Sequence, residues 1–277
     1  MHSRHALARD FERLGLGPGD LVMLHASVRA VGPVIGGPDQ IHLALEDAVS
    51  GTGTLMMYVG CPRYYDEVGR GNLTPAEEAE VLAHLPPFDP LTARAAQDHG
   101  VLAEFFRTWP GTAVNDHVAR FAVRGARAAY LLDGQPWDFA FGRGSILERF
   151  VELDGRLVLL GSDHDNVTFL HYVEHVADLP GRRVTRMLVP TSGLDGTTWR
   201  EMQEVDTNVA HDHWPDAFFA LIVGAFLRHT GNTGGLVGGA RSYVLAARRL
   251  LAFARPVMEE VARDRRARAL TTLRALL

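Results

Sequence analysis

Three short, almost unbroken apolar runs, Leu21–Leu24, Thr54–Tyr58 and Leu157–Leu160, constrain this chain more than any other feature. A strand with no alternation of polar and apolar residues is buried on both faces, and that requires helices above and below the sheet. Around the first two runs the order is strand, turn-rich segment, helix over Pro38–Val49, strand, which is the unit of a sheet with crossover helices. An amphipathic helix over 4–14 precedes it, ended by Gly15 and the Pro18-Gly19-Asp20 turn. After Gly100 the alternation resumes, with a helix over 101–109, a strand over 119–123, a helix over 126–132, a short helix after Ser145, a strand over 156–160 and a helix over 168–177. Strand-like segments follow near 184–189 and 197–205, then a helix over 216–229, a Gly-rich loop over 231–239 and a C-terminal helix from about 247. The expected fold is α/β, a mixed sheet with crossover helices and two intimately packed lobes, with 1–277 as a single domain. Residues 60–98, rich in Pro, Gly, Tyr and acid, fit no element, and a connection of that length in a compact domain is usually functional.

Composition removes several function classes. Of 277 residues, 47% are hydrophobic and 22% charged, an ordinary globular balance. All 28 basic residues are arginine, so a pyridoxal phosphate Schiff base, a Walker lysine and a kinase lysine are excluded. Thirty-three acids give a net charge of −5, which is ill suited to gripping a phosphate backbone, and no nucleic-acid partner is expected. Cys61 stands alone, which leaves no disulfide framework and no thiolate metal knuckle and points to a reducing compartment. Charges run through the first sixteen residues and no stretch approaches 18 uninterrupted apolar residues, so the expected location is cytoplasmic, without a membrane.

Chemistry concentrates in Gly161-Ser-Asp163-His164-Asp165-Asn166-Val-Thr168-Phe-Leu-His171-Tyr-Val-Glu174-His175, directly after the third apolar run. In open α/β sheets, ligands settle at the carboxyl ends of strands, and His171 falls one turn into the helix that begins there. It reads either as a catalytic histidine or as a half-buried structural one. His171-Tyr-Val-Glu174-His175 also fits the H-x-x-E-H string of a zinc hydrolase, with two histidine ligands and a water-activating glutamate, and His211 and His213 would be further ligands. Five characters in a chain with 13 histidines recur by chance, so no metal is expected. The segment from His25 to Gly32 offers a strand end, the Ser27 hydroxyl, the Arg29 guanidinium and turn amides, a set that suits a pyrophosphate or makes a plain turn. No G-x-G-x-x-G follows a strand, which disfavours nicotinamide cofactors.

Longer stretches carry a resemblance. Gly19-Asp-Leu-Val-Met-Leu-His25-Ala-Ser27-Val-Arg-Ala-Val-Gly32-Pro-Val-x-Gly-Gly37, Gly51-Thr-Gly-Thr-Leu, Pro86-Pro-Phe-Asp-Pro90, Gly100-Val-Leu-x-Glu104-Phe, Gly142-x-Gly-Ser145-x-x-x-Arg-Phe150, Leu160-Gly161, Thr168-x-Leu-His171-Tyr-x-Glu174 and Gly235-x-Val-Gly238-x-Ala240 occur in order. In these the chain resembles the aminoglycoside 3-N-acetyltransferases, which lie outside the GNAT fold. It departs from them at Ala113-Val-Asn-Asp-His117-Val118, which keeps the histidine of the family's Arg-Ser-x-His-Pro stretch and loses the arginine, serine and proline.

The resemblance implies acetyl transfer from acetyl-CoA to the 3-amino group of a 2-deoxystreptamine aminoglycoside, giving antibiotic resistance. It places His171 as general base, oriented by Glu174, Glu204 or Asp206. It further implies a pyrophosphate cradle at Ser27, Val28, Arg29 and Gly32, with Ser145 and Thr168 nearer the pantetheine and thioester. A polycationic substrate needs carboxylates and aromatic faces, which Tyr65, Asp66, Glu67, Asp89 and the acids of 204–213 would supply, with His25 and His164 converging on the same mouth. Two rivals stand beside this reading, the zinc hydrolase and a non-catalytic aminoglycoside-binding protein without affinity for acetyl-CoA.

Overall fold

A computed structural model describes residues 1–194, 196–264, 266 and 268–275. Its strands are β1 (Leu21–Ala26), β2 (Thr54–Tyr58), β3 (Ala113–Val114), β4 (Phe121–Gly125), β5 (Arg156–Leu160), β6 (Val184–Gly193), β7 (Gly196–Val205), β8 (Gly235–Val237) and β9 (Ala240–Ala246). Seven of them form one mixed sheet in the order β3-β4-β2-β1-β5-β9-β8, while β6 and β7 pair separately. At the centre, β1 runs parallel to both β2 and β5, with Met23 opposite both Met56 and Leu157. The outer strands are antiparallel to their neighbours.

The apolar runs behave as two-sided strands. Val22, Leu24, Leu55, Met57, Val158 and Leu160 enter one core layer, packed with Leu7 and Phe11 of the helix Arg4–Arg13, Ile41 and Leu45 of Asp39–Val49 and Phe106 of Val101–Thr108. Their sequence neighbours Leu21, Met23, Met56, Leu157 and Leu159 enter the opposite layer, against the helices Ile146–Glu152, Phe169–Val176, Phe218–His229 and Ala247–Arg263. This is the period-2 geometry of a strand, and each fully buried side chain of this size contributes about 1.5–3 kcal/mol. The first helix starts where Ser3 accepts a hydrogen bond from the Ala6 amide at 3.2 Å, and its apolar stripe packs on the helix Asp39–Val49.

The β6–β7 ribbon carries a small core of its own, Met187, Val189 and Met202 with Val118, flanked by Cys61, Tyr65, Phe88 and Trp137. Backbone hydrogen bonds lace it to three separate loops: Leu188 N–H to Val68 O (2.9 Å), Phe88 N–H to Pro190 O (2.8 Å) and Phe139 N–H to Gln203 O (2.8 Å). The connection 60–98 is held from below by Arg120, which is fully buried. Its guanidinium donates to the carbonyls of Gly60 (3.1 Å), Pro90 (2.5 Å), Ala93 (2.9 Å) and Arg94 (2.7 Å) and lies over the Phe88 ring.

Two parts differ from expectation. The connection contains a helix, Pro75–His84, with no buried residue, and its start is fixed by a capping box between Thr74 and Glu77. The Gly-rich loop and the residues after it form the β8–β9 hairpin, turning at Gly238 (φ +58), where a side chain would also press on Val31.

Candidate active site

Because the chain proceeds from β1 to β2 on one side and reaches β5 on the other, the carboxyl ends of these parallel strands mark a topological switch point, and a cleft opens there. It encloses about 1740 Å³. Its floor is Leu24–Val28, Tyr58, Gly60, Gly161–Asp163 and Thr168, with the exposed Arg29 at the rim; one wall comes from the 60–98 connection through Asp66, Glu67 and Arg94, and the other carries His171, Glu204 and Phe219.

His171 sits on the helix Phe169–Val176, delivered by β5 through the single turn His164–Asn166. Its Nδ1–H donates to Glu174 Oε2 at 2.9 Å, three residues on and on the same face. The other oxygen of Glu174 accepts from the Trp214 indole N–H at 2.8 Å, and the carboxylate is buried. The His171 ring is wedged between Phe141 (5.5 Å) and Phe219 (5.0 Å). With Nδ1 committed to the carboxylate, Nε2 carries the lone pair, which suits it to accept a proton in the cleft.

His175, one turn further, is turned elsewhere. Its Nδ1 donates to the His171 carbonyl (2.6 Å), and its Nε2 meets Glu204 Oε1 at 2.5 Å. Both ring nitrogens are thereby engaged, so the zinc geometry read from His171, Glu174 and His175 does not form, and no group of three His, Cys, Asp or Glu side chains poised for a metal occurs among the described residues. His211 and His213 also make backbone bonds, to Pro180 O and Val261 O.

Comparison with known proteins gives the family. The family model described as Aminoglycoside 3-N-acetyltransferase matches residues 23–259. The chain belongs to the aminoglycoside 3-N-acetyltransferase family. Membership makes it an acyltransferase by class. A curated relative from Pseudomonas aeruginosa, aminoglycoside N(3)-acetyltransferase III, is 38% identical over 255 residues, 91% of this chain and 92% of its own. Among solved structures, AAC-IIIb in a binary complex with CoASH superposes with a TM-score of 0.86 at 38% identity, covering 94% of this chain and 97% of that one. AAC-VIa bound to sisomicin superposes at 0.84 with 32% identity, covering 93% and 97%.

Of the residues that the sequence singled out, the cleft gathers His25, Ser27, Val28, Arg29, Asp66, Glu67, Thr168, His171, Glu174 and Glu204. It does not gather the rest. Asp206 lies just past the end of β7, where it accepts from the Asn208 amide and faces Arg183, so it cannot orient His171. Ser145 is fully buried as the cap of the helix Ile146–Glu152, and Gly32 ends the short helix Val28–Val31. Tyr65 packs edge-on against Phe88, Asp89 caps its own turn through Leu91 and Thr92, and His164 meets the Tyr243 ring edge-to-face. Ser27 lines the floor, but its hydroxyl already accepts from the Ala30 amide, which leaves Arg29 as the exposed donor of that segment.

The acids of the wall are not all free for a cation. Asp66 pairs with Arg70 at 3.1 Å, and Glu67 stands 3.7 Å from Arg63. Burial, and then Asp66, push the Cys61 thiol well above its ordinary range, which keeps it protonated and a poor acyl acceptor. Burial, and then His99, push His25 down to about 4, so this histidine is neutral at physiological pH. Sequence reasoning missed Trp214, Phe141 and Phe219, which hold the His171–Glu174 pair. A lone aromatic in a turn or at the start of a helix has no periodic signature, and each contact spans tens of residues.

Proposed function

We propose that this chain transfers the acetyl group of acetyl-CoA to the 3-amino group of a 2-deoxystreptamine aminoglycoside, with His171 as general base. The observation that carries the reading is the chain Trp214–Glu174–His171, which ends at a ring nitrogen in a large cleft at the switch point. Family membership, and relatives whose descriptions name CoASH and sisomicin, support it.

In this mechanism His171 Nε2 removes the proton from the attacking amine. Glu174 holds the ring in the required tautomer and stabilises the imidazolium, as the third member of a catalytic triad does. Trp214 keeps the carboxylate from rotating away. A cationic, hydroxyl-rich substrate meets Asp163, Asp165, Glu204 and Asp216 in the cleft, together with the paired Asp66 and Glu67. Arg29 at the rim would face the pyrophosphate of CoA, and Thr168, which lines the floor where the helix of His171 begins, would lie by the thioester.

The test is a thiol-release assay with acetyl-CoA against apramycin, gentamicin and neomycin, with the acetylated position read by NMR. Thiol should appear only when both substrates are present, and His171→Ala should lower kcat by roughly 10²- to 10⁴-fold with an unchanged circular dichroism spectrum. Binding of aminoglycoside without thiol release would make the chain a binding protein, and near wild-type turnover of His171→Ala would remove His171 from its role.

A further inference from the structure

Among the described residues, four buried side-chain polar atoms have no hydrogen-bond partner: His25 Nε2, His42 Nε2, Ser162 Oγ and Glu204 Oε2. His42 Nε2 lies 3.6 Å from Asp39, beyond hydrogen-bond distance, and His42 is not part of the cleft lining. The other three residues all line the cleft. Folded proteins seldom leave such atoms without a partner, and in the lining of a cleft that partner is water or a bound ligand. Glu204 Oε2 suits the cationic substrate, and the chemistry at His25 is different.

His25 is the penultimate residue of β1, paired with Leu159 of β5, and Ser27 N–H reaches Leu160 O at 2.9 Å just beyond it. It therefore sits on the floor at the ends of the two strands that also lead to Arg29 and to the His171 helix. We propose that His25 Nε2–H donates a hydrogen bond to the acyl oxygen of the bound thioester, fixing the carbonyl for attack and taking up the negative charge that develops on it.

The inference rests on the acetyl-transfer reading above. In the step it assigns, the amine nitrogen forms a bond to the carbonyl carbon while the carbonyl π electrons move onto the oxygen facing His25. The electrons then return, the carbon–sulfur bond breaks, and the proton taken by His171 passes to the departing sulfur, giving amide and free thiol. His25 exchanges no proton.

A neutral imidazole fits this task. A ring held at about 4 by burial and by His99 neither repels a polycation nor locks onto pyrophosphate, yet it still presents one N–H. His99, tilted against the Tyr58 ring at 4.7 Å, is close enough to His25 to act on it electrostatically, and no carboxylate is among the causes of the shift at His25.

Full-length wild type, His25→Ala and His25→Gln are compared in the thiol-release assay, and by carbon-13 NMR of acetyl-CoA labelled at the carbonyl. His25→Ala should lower kcat by about 10²- to 10³-fold, with both KM values within about threefold. His25→Gln, which retains an N–H donor, should recover at least about tenfold of the loss. The bound carbonyl resonance should shift downfield in wild type and lose that shift in His25→Ala. An active wild type whose His25→Ala variant keeps kcat within about threefold, or whose glutamine variant is no better than alanine, overturns the role of His25 alone. A wild type that releases no thiol with any aminoglycoside overturns the acetyl-transfer reading and this inference with it.

Discussion

Replacing Arg120 by methionine should detach the long connection 60–98 from the sheet without touching the catalytic histidine. The guanidinium makes four hydrogen bonds, each to a backbone carbonyl and none to a carboxylate. Charge-assisted bonds contribute about 1.5–3 kcal/mol each, so the gross contribution is about 6–12 kcal/mol. Against it stands the burial of an uncompensated charge, visible in a pKa pushed down from 12.5 to about 10 first by desolvation and then by Arg107, which offsets roughly 3 kcal/mol. Water reaching the freed carbonyls recovers part of the remainder, leaving an expected loss of about 3–5 kcal/mol for Arg120→Met. Arg120→Lys should fall between the two, because an ammonium is a point donor that cannot span carbonyls of residues 60, 90, 93 and 94. Urea unfolding gives the energy, and hydrogen exchange shows whether protection falls over residues 86–96. In the assay, KM for the aminoglycoside should rise while kcat is kept, since Asp66, Glu67 and Arg94 belong to the loosened wall. A loss below about 1 kcal/mol with unchanged exchange over 86–96 would refute the view that these bonds hold the connection.

Glu174→Gln should lower kcat by at least about tenfold with little change in KM, because the amide can no longer stabilise a protonated His171; equal kcat would mean that the carboxylate only packs. Stability should be full above about pH 6.5 and decline towards pH 4, because the unfolded chain takes up a proton on His25 there and the folded one does not; His25→Gln should remove about 2 kcal/mol of that decline in urea titrations at pH 7 and 4.5. A further loss should appear as pH falls from 4.5 towards 2, where Glu104 is held near 2 by Arg107, Arg94 and the Ala95 amide against its own desolvation, and Glu104→Gln should flatten that limb. Neutralising Asp66 and Glu67 together removes the carboxylates facing Arg70 and Arg63, so KM for the aminoglycoside should rise more at low salt than at high while KM for acetyl-CoA stays put; equal changes in both would point to a structural effect.

The central strands were readable because burial on both faces writes an unbroken apolar run into the sequence. β9 was not, since it begins Ala240-Arg241-Ser242 and buries only part of its length, and β3 has two residues. The helix Pro75–His84 has no apolar stripe to detect, although its Thr74-Pro-Ala-Glu77 start was in plain view. At the site, the sequence left Glu174, Glu204 and Asp206 open as partners of His171, and the resemblance rather than the spacing singled out His171; only Glu174, three residues along the same helix, has a local reason to be its neighbour. The pairing of His175 with Glu204 crosses 29 residues and that of Glu174 with Trp214 crosses 40, distances over which only the folded sheet and ribbon bring groups together. Glu204 and Asp206 look equivalent in sequence, but β7 ends between them at Val205, and the strand keeps one in the cleft while the turn carries the other away.

The lacing of the β6–β7 ribbon to Val68, Phe88 and Phe139 divides the cleft into two kinds of material. The floor, with His25 and the residues leading to His171, is made of sheet ends whose positions are dictated by a core on both faces. The wall opposite is a ribbon and the loops sewn to it by main-chain bonds, by the small core around Met187 and Met202 and by the buried Arg120. With those anchors kept, the side chains that line the cleft from the wall can change without moving the sheet ends beneath them.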